Sequence, residues 1–320
     1  MKKVLAALAF ALVGASCGGG ASTTTTVTAA TTALPATTTT ATPTTTSTST
    51  TSTSTTTTAA PVTTTTEPVN VDAALQDRLW AVVLVTADDV LNIRSGPGVS
   101  NEIVAAAPPT KRGLALTGRY EMVGLSTWVE LASFESGGWV NAYFLTPQYT
   151  TEEIDVAMDT WGRMAELGDL MSAGGDISGP MSRRGLNLVY FDDELRHYSR
   201  GDLQTVMSSA AIETWSSTGC IGCIERTFAE AVGDTYLSVF DDLLIDAETL
   251  LDDVLLGGGG PFPPEAAVPV PFRNFHFVSF FDPGDNPDFD GLDWWTWLVF
   301  FDIENGDAVI AGMAPVAWAP

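Results

Sequence analysis

A run of 49 residues without a charged side chain, from 18 to 66, limits what this chain can fold into more than any other feature. It consists almost entirely of Thr, Ser, Ala and Pro. Such a segment cannot bury enough apolar surface to offset the entropy of ordering it, and β-branched Thr favours an extended, hydrated chain. We therefore predict a disordered Thr-rich linker over residues 18–70, followed by a folded part of about 250 residues.

The first 17 residues predict export. Two lysines precede an apolar stretch from Val4 to Val13, which is too short to span a bilayer. Cys17 follows small residues, and this ending resembles a bacterial lipoprotein signal, although Gly14 stands where a larger aliphatic residue is usual. The resemblance implies that Cys17 carries a lipid anchor on the extracytoplasmic face of the cell membrane. Secretion after cleavage behind Ala15 is the alternative.

Acidic residues dominate the charge of the chain. There are 39 Asp and Glu against 14 Lys and Arg, which gives a net charge of −25 and a pI of about 4.1. From residue 149 onward, seven arginines face 30 acids, so 7 − 30 = −23 of that charge lies there. This charge repels phosphate and excludes nucleic acid as a partner. No apolar run after the signal reaches about 18 residues, which excludes a polytopic membrane protein.

Short apolar strands alternate with Gly/Pro turns between residues 79 and 147. The predicted strands cover 79–85, 90–94, 103–107, 113–117, 128–131 and 139–142. Ser95-Gly96-Pro97-Gly98 predicts a tight turn, because glycine adopts positive φ and proline fixes its own φ. Strands about ten residues apart with such turns are typical of a barrel or sandwich. We predict a small all-β barrel over residues 71–149.

Several motifs follow one another in a fixed order through this segment. They are Leu91 to Gly98, Gly118, Trp128-Val129, Gly138-Trp139-Val140 and Tyr143-Phe144-Leu145. In this order they resemble the bacterial SH3-like (SH3b) domain. The resemblance implies an SH3-like barrel that binds peptidoglycan or another cell-wall component and is not catalytic. The loop from Ala107 to Gly113 departs from the family pattern because it is longer and basic.

Three side chains are candidate ligand contacts under this resemblance: Arg94, Trp128 and Tyr143. Arg94 stands beside the turn and can pair with a carboxylate. Exposed aromatic rings suit the flat face of a sugar or a peptide. Trp139 is expected to belong to the core.

Residues 150–320 predict an α+β domain with an antiparallel sheet. Capping boxes at Thr150–Glu153 and Thr227–Glu230 open two helices, the first ending at Gly174-Gly175. A further short helix is expected from Asp246 to Leu256. Asn305-Gly306 between two apolar runs predicts a hairpin. Helices that precede a closing antiparallel sheet favour the α+β class.

The end of the chain also resembles an uncharacterised family of exported bacterial proteins. The residues that carry this resemblance are Asp293-Trp294, Leu298 to Phe301, Asn305-Gly306 and Trp318. The resemblance implies no activity. The clustered aromatic residues from Trp294 to Phe301 are expected to lie mainly in the core, with a carbohydrate platform as the alternative.

Cys220 and Cys223 form a CxxC motif in an exported protein, which favours a local disulfide. A thioredoxin-type redox pair lacks its βαβ context, and a zinc site would need both histidines of the chain at unusual spacings. SH3b domains often accompany cell-wall cysteine peptidases, so a peptidoglycan hydrolase with Cys223 as nucleophile and His276 as base is the alternative function.

Aspartates crowd one loop near the end of the chain. Those considered as Ca²⁺ ligands are Asp285, Asp288, Asp290 and Asp293. The loop imitates the opening of an EF-hand but has Trp297 where a bidentate Glu is required. A solvated acidic loop is therefore preferred over an irregular Ca²⁺ site.

Together these observations favour a cell-envelope binding protein over an enzyme, with the peptidoglycan hydrolase as the alternative. A signal with a lipid anchor (1–17) and a linker (18–70) carry an SH3b domain (71–149) and an acidic α+β domain of unknown function (150–320). The expected partners are the membrane, through the anchor, and peptidoglycan. No cofactor is predicted.

Overall fold

The structure of the chain is a computed structural model. It describes residues 77–132, 138–157, 159–191, 194–215, 224–246, 250–251, 268–282 and 294–317. These residues form mostly β-sheet, with one curled antiparallel sheet, as the sequence predicted in outline.

Seven strands form the first sheet. They are β1 Leu79–Val82, β2 Leu91–Arg94, β3 Ile103–Ala107, β4 Leu114–Val123, β5 Ser126–Leu131, β6 Gly138–Asn141 and β7 Leu145–Pro147. They pair antiparallel in the order β3-β2-β6-β5-β4-β1-β7. Register shifts between Ile93 and Arg94 and between Leu116 and Tyr120 interrupt the pairing, and irregularities of this kind bend strands. The sheet therefore curls around its own apolar core.

Eight further strands follow in the part of the chain that the structure describes. They are β8 Leu186–Val189, β9 Leu195–Tyr198, β10 Glu213–Trp215, β11 Ile224–Arg226, β12 Leu250–Leu251, β13 His276–Asp282, β14 Trp295–Glu304 and β15 Asp307–Ala317. β10 and β11 form a ribbon, and the other six form a second sheet in the order β12-β13-β14-β15-β8-β9. All its pairs are antiparallel except β15–β8. The predicted hairpin is confirmed, with Asn305 and Gly306 at φ of 55° and 90°.

Within the described residues, four α-helices lie in the C-terminal part. They are α1 Thr151–Ala157, α2 Thr160–Ser172, α3 Arg200–Leu203 and α4 Asp234–Asp246, the last preceded by a π-helical turn at Ala229–Gly233. Both predicted capping boxes are confirmed: Glu153 N donates to Thr150 Oγ1 (3.2 Å), and Glu230 N donates to Thr227 Oγ1 (3.3 Å). No helix within the described ranges is long and apolar enough to cross a bilayer.

Two helix predictions were wrong in extent. The helix expected to run unbroken to Gly174 divides, because Asp159 caps a second helix by accepting from Gly162 N at 2.8 Å. The helix expected from Asp246 to Leu256 does not form at Leu250 and Leu251, which pair with β13 as an edge strand. The open edge of β13 offers backbone partners that a local helical pattern does not reveal.

Most aromatic residues of β14 are core, as expected, and Trp295 is partly buried against that core. Trp297 and Phe301 pack under the helices, whereas Leu298 and Phe300 face a second apolar cluster. Trp294 is also buried, at 6% exposure. Burial on both faces explains why this strand is apolar over nearly its whole length.

The second apolar cluster joins the two sheets. Val83 and Leu84, which follow β1, pack with Phe272 and Phe300 of the C-terminal part. Leu84 adopts a positive φ of 59°, and its N–H donates to the Pro271 carbonyl at 2.8 Å. All described residues accordingly lie in one compact unit, Pro61–Pro320.

Candidate functional site

Two neighbouring cavities share Asn141 and Phe144 as wall residues, and we call them together the groove. The Trp128 cavity, about 210 Å³, is lined by Leu84, Val85, Asp89, Val90, Leu91, Asn92, Arg94, Val99, Trp128, Asn141 and Phe144. The His197 cavity, about 220 Å³, is lined by Leu125, Ser126, Thr127, Asn141, Tyr143, Phe144 and His197. The groove thus brings together all three predicted contacts, two in one cavity and one in the next.

The turn between β2 and β3 holds Arg94 at the wall of the Trp128 cavity. Arg94 Nη1 donates to the Asn101 carbonyl (2.7 Å), and Asn101 Nδ2 donates to the Pro97 carbonyl (2.6 Å). Gly98 has a φ of 102°, and a Cβ there would lie 3.3 Å from Val123 Cγ1. Glycine therefore permits both the turn and its close approach to the β4–β5 hairpin. The Arg94 guanidinium is therefore already held in position before a ligand binds, and its other N–H groups can donate to that ligand.

Trp128 lines the same cavity but is buried, at 4% exposure, which corrects the expectation of an exposed ring. It lies opposite Asn141 in the β5–β6 pair. β5 is buried on both faces from Thr127 to Leu131, so the usual alternation of buried and exposed side chains does not apply. The ring forms part of the cavity wall rather than an open stacking platform.

The His197 cavity contains a histidine whose protonated nitrogen is set by its neighbour. Asn187 Nδ2 donates to the Ala311 carbonyl (2.9 Å), which leaves Asn187 Oδ1 3.2 Å from His197 Nδ1. Because that oxygen only accepts, a hydrogen bond here requires the proton on Nδ1, and Nε2 is then an acceptor. Desolvation lowers the pKa of His197, and the charge of Asp202 opposes that shift. The Tyr143 hydroxyl lies 3.3 Å from the same Nδ1.

Exposed apolar side chains surround the groove. Val90 and Val99 of the Trp128 cavity are 43% and 78% exposed, and Leu125 of the His197 cavity is 48% exposed. Val123, which contacts the turn, is also exposed. Exposed apolar side chains at the rim of a cavity are available for contact with a ligand.

Comparison with protein-family models, curated proteins and solved structures finds no match to this chain. The resemblances stated above therefore depend on the residues of this sequence alone. The function has to be argued from the chemistry of the groove.

Some of the other predicted site residues are described by the structure and some are not. Those outside the described residues are Cys17, Cys220, Cys223, Asp285, Asp288, Asp290 and Asp293. His276 is described at the start of β13, but Cys223 is not among the described residues. The pairing of the two residues therefore stays a prediction. Among the described residues, no three His, Cys, Asp or Glu side chains gather as metal ligands do.

Sequence reasoning missed Asn141 and His197. Asn141 directly follows the Gly138-Trp139-Val140 motif of the SH3b resemblance, and its amide caps the turn that comes next, with Oδ1 accepting from Tyr143 N at 3.0 Å. His197 reaches the groove from β9, 54 residues after Tyr143. Only the packing of the two sheets brings it there, so no local pattern could have indicated it.

Proposed function

We propose that this chain is an exported cell-wall binding protein whose groove takes the peptide part of peptidoglycan. In this proposal Cys17 carries the lipid anchor, and residues 18–70 form a linker that spaces the folded part from the membrane. Residues 71–149 act as an SH3-like barrel, and residues 150–320 act as an α+β domain that supports it.

The observation that carries the proposal is the meeting of Arg94, Trp128 and Asn141 in one cavity. A stem peptide presents amide groups, small apolar side chains and free carboxylates. The Arg94 guanidinium suits a carboxylate, and the Asn141 amide suits a peptide group. Trp128 and the exposed Val99 supply apolar contact for the side chains.

The size of the cavities argues for a ligand that spans both. Each is smaller than the roughly 300 Å³ at which pockets for drug-sized ligands begin. A peptide of several residues therefore has to cross Asn141 and Phe144 from one cavity into the other. There it meets His197 of β9, whose Nε2 can accept from a peptide N–H when Nδ1 carries the proton. The C-terminal part thus completes the binding site instead of merely accompanying it.

Sedimentation with purified peptidoglycan tests the proposal. The mature chain is mixed with peptidoglycan, and the bound fraction is measured with and without soluble stem peptide as competitor. We expect retention that the peptide abolishes. Retention that only glycan fragments abolish, or no retention, contradicts the proposal.

Val99→Glu is the sharpest variant, because Val99 is 78% exposed and its replacement should leave the fold intact. The new carboxylate would repel the carboxylates of the stem and should weaken binding about tenfold. Val104→Glu is the matched control, since Val104 is exposed on β3 and does not line the groove. Equal binding by both variants would place the contact elsewhere.

A further inference from the structure

A third cavity, of about 580 Å³, lies away from the groove and carries positive charge. It is enclosed by the loop after β3, the residues that follow β7, and the segment that leads into β13. Its lining includes Arg112, Arg273 and His276, and none of the described residues that line it is Asp or Glu. We call it the basic cavity.

This charge is unusual for the chain that contains it. The net charge is −25, and most of the arginines pair with acids, as Arg163 does with Glu166 at 3.0 Å. Another cavity of about 310 Å³ shows the ordinary pattern, because Asp159, Glu166 and Asp307 line it together with Arg163. A wall whose described residues include Arg112 and no acid therefore differs from this pattern and from the negative field of the molecule.

Arg112 is oriented by neutral groups. Its Nε donates to Asn274 Oδ1 at 2.6 Å, and its Nη2 donates to the Arg273 carbonyl at 3.4 Å. Asn274 is itself fixed, because its Nδ2 donates to the Val82 carbonyl at 2.7 Å. These acceptors hold the guanidinium in place without neutralising it, and they use two of its five N–H groups. The remaining three are available for a planar, bidentate partner such as a carboxylate.

Arg78 lies behind the cavity wall, and its charge is neutralised by an acid. The Arg78 guanidinium stacks 4.0 Å from the centre of the Tyr149 ring, and its Nη2 pairs with Glu153 Oε1 at 2.9 Å. Tyr149 lines the basic cavity, whereas Arg78 and Glu153 do not. Among the described lining residues, Arg112 therefore supplies a guanidinium that is held by neutral acceptors.

The rest of the lining is partly apolar. Val268, Phe275 and Phe277 contribute to it, and each is only 5% exposed. The volume falls within the roughly 300–1,000 Å³ of pockets that hold small organic ligands. Positive charge beside buried apolar side chains matches a ligand with an anionic end and an apolar body.

We infer that the basic cavity binds a small organic carboxylate with an apolar body, in which Arg112 pairs with the carboxylate. This site is separate from the proposed peptide groove. It also gives a role to the loop from Ala107 to Gly113, whose length and basic residues depart from the SH3b pattern. That loop is what brings Arg112 to the C-terminal part.

Binding of 2-naphthoate to the purified mature chain, measured by calorimetry at constant ionic strength, tests this inference. 2-Naphthamide is the neutral analogue of the same shape, and inorganic phosphate is an anion without an apolar body. We expect 2-naphthoate to bind, with both comparison compounds at least about tenfold weaker. Equal binding of 2-naphthamide, preference for phosphate, or no binding of 2-naphthoate at millimolar concentration would overturn the inference.

Variants locate the site. Arg112→Gln should weaken 2-naphthoate about tenfold or more, and Arg112→Lys should fall between, since it keeps the charge but loses the bidentate geometry. Arg226→Gln is the matched control, because it removes the same charge from an exposed residue outside the cavity. Equal loss in Arg226→Gln would show a general charge effect and overturn the inference. Arg112→Gln should leave retention on peptidoglycan unchanged. The proposal for the groove and the inference for the basic cavity are therefore tested independently.

Discussion

Arg184 and Asp302 form a buried ion pair where the two sheets meet, with Nη2 3.2 Å from Oδ2. Each also bonds β7 of the first sheet: Arg184 Nη2 donates to the Leu145 carbonyl (2.6 Å), and Asp302 Oδ1 accepts from Thr146 Oγ1 (2.8 Å). Burial raises the pKa of Asp302, and the Arg184 charge opposes that rise. The pair therefore fixes the first sheet, with its groove, onto the C-terminal sheet.

Asp302→Asn should destabilise the chain by about 3–5 kcal/mol, because it leaves the Arg184 charge buried without its counter-ion. Chemical denaturation measures the change. The double variant Arg184→Met/Asp302→Leu should recover much of the loss, since a buried pair replaced by apolar side chains is often tolerated. Asp307→Asn, an exposed acid of the same sheet, is the control and should change stability by less than about 0.5 kcal/mol. An Asp302→Asn variant as stable as this control would contradict the account.

Residues 71–149 should be much less stable alone than within the chain. Excision exposes Val83 and Leu84, which are buried against Phe272 and Phe300, and burying such a side chain contributes about 1.5–3 kcal/mol. Calorimetry of the fragment and of the mature chain measures the difference. A fragment that melts at the temperature of the whole chain would show that the junction contributes nothing to its fold.

Features decided by neighbouring residues were predictable. The turn around Gly98, the Asn305-Gly306 hairpin and the two capping boxes each depend on residues within four positions of one another. Asp302 was not predictable, because it stands in an apolar strand and its partner Arg184 lies 118 positions earlier. The burial of Trp128 was not predictable for the same reason, because it depends on other elements that cover both faces of β5.

The stability of the chain should depend on Glu153 at acidic pH. The hydrogen bond from Arg78, followed by that from the Thr150 backbone, lowers the pKa of Glu153 from 4.5 to about 2. The carboxylate therefore stabilises the fold above about pH 4.5, and this contribution is lost as pH falls towards about 2. Glu153→Gln should lower the melting temperature at pH 7 and match the parent chain near pH 2. Glu152→Gln is the adjacent control, and a pH-independent difference for Glu153→Gln would contradict this assignment.

His197 should carry its proton on Nδ1 at pH 7.5, because Asn187 Oδ1 lies 3.2 Å from that nitrogen and can only accept. Long-range proton–nitrogen NMR correlations distinguish the two tautomers. Asn187→Leu should remove the preference. A ring protonated on Nε2 in the parent chain would mean that His197 presents a donor, not an acceptor, to the groove.

Only the part of the candidate groove that the first sheet forms was predictable from the sequence. Arg94 and Trp128 belong to motifs of the first sheet, which local turns and strand patterns reveal. His197 reaches the groove only through the docking of β9 beside the first sheet. A binding site shared between two sheets cannot be deduced from the pattern of either one.

The most direct test of the peptide groove is NMR mapping with a soluble stem peptide. We expect the Trp128 indole, the Asn141 side-chain amide and the Val99 methyl signals to shift together and to saturate with one affinity. Trp161, which is 45% exposed on α2 and lies outside the groove, is the internal control and should not shift. Saturable shifts at Trp161 with no change at Trp128, Asn141 and Val99 would contradict the account, as would a spectrum that the peptide leaves unchanged.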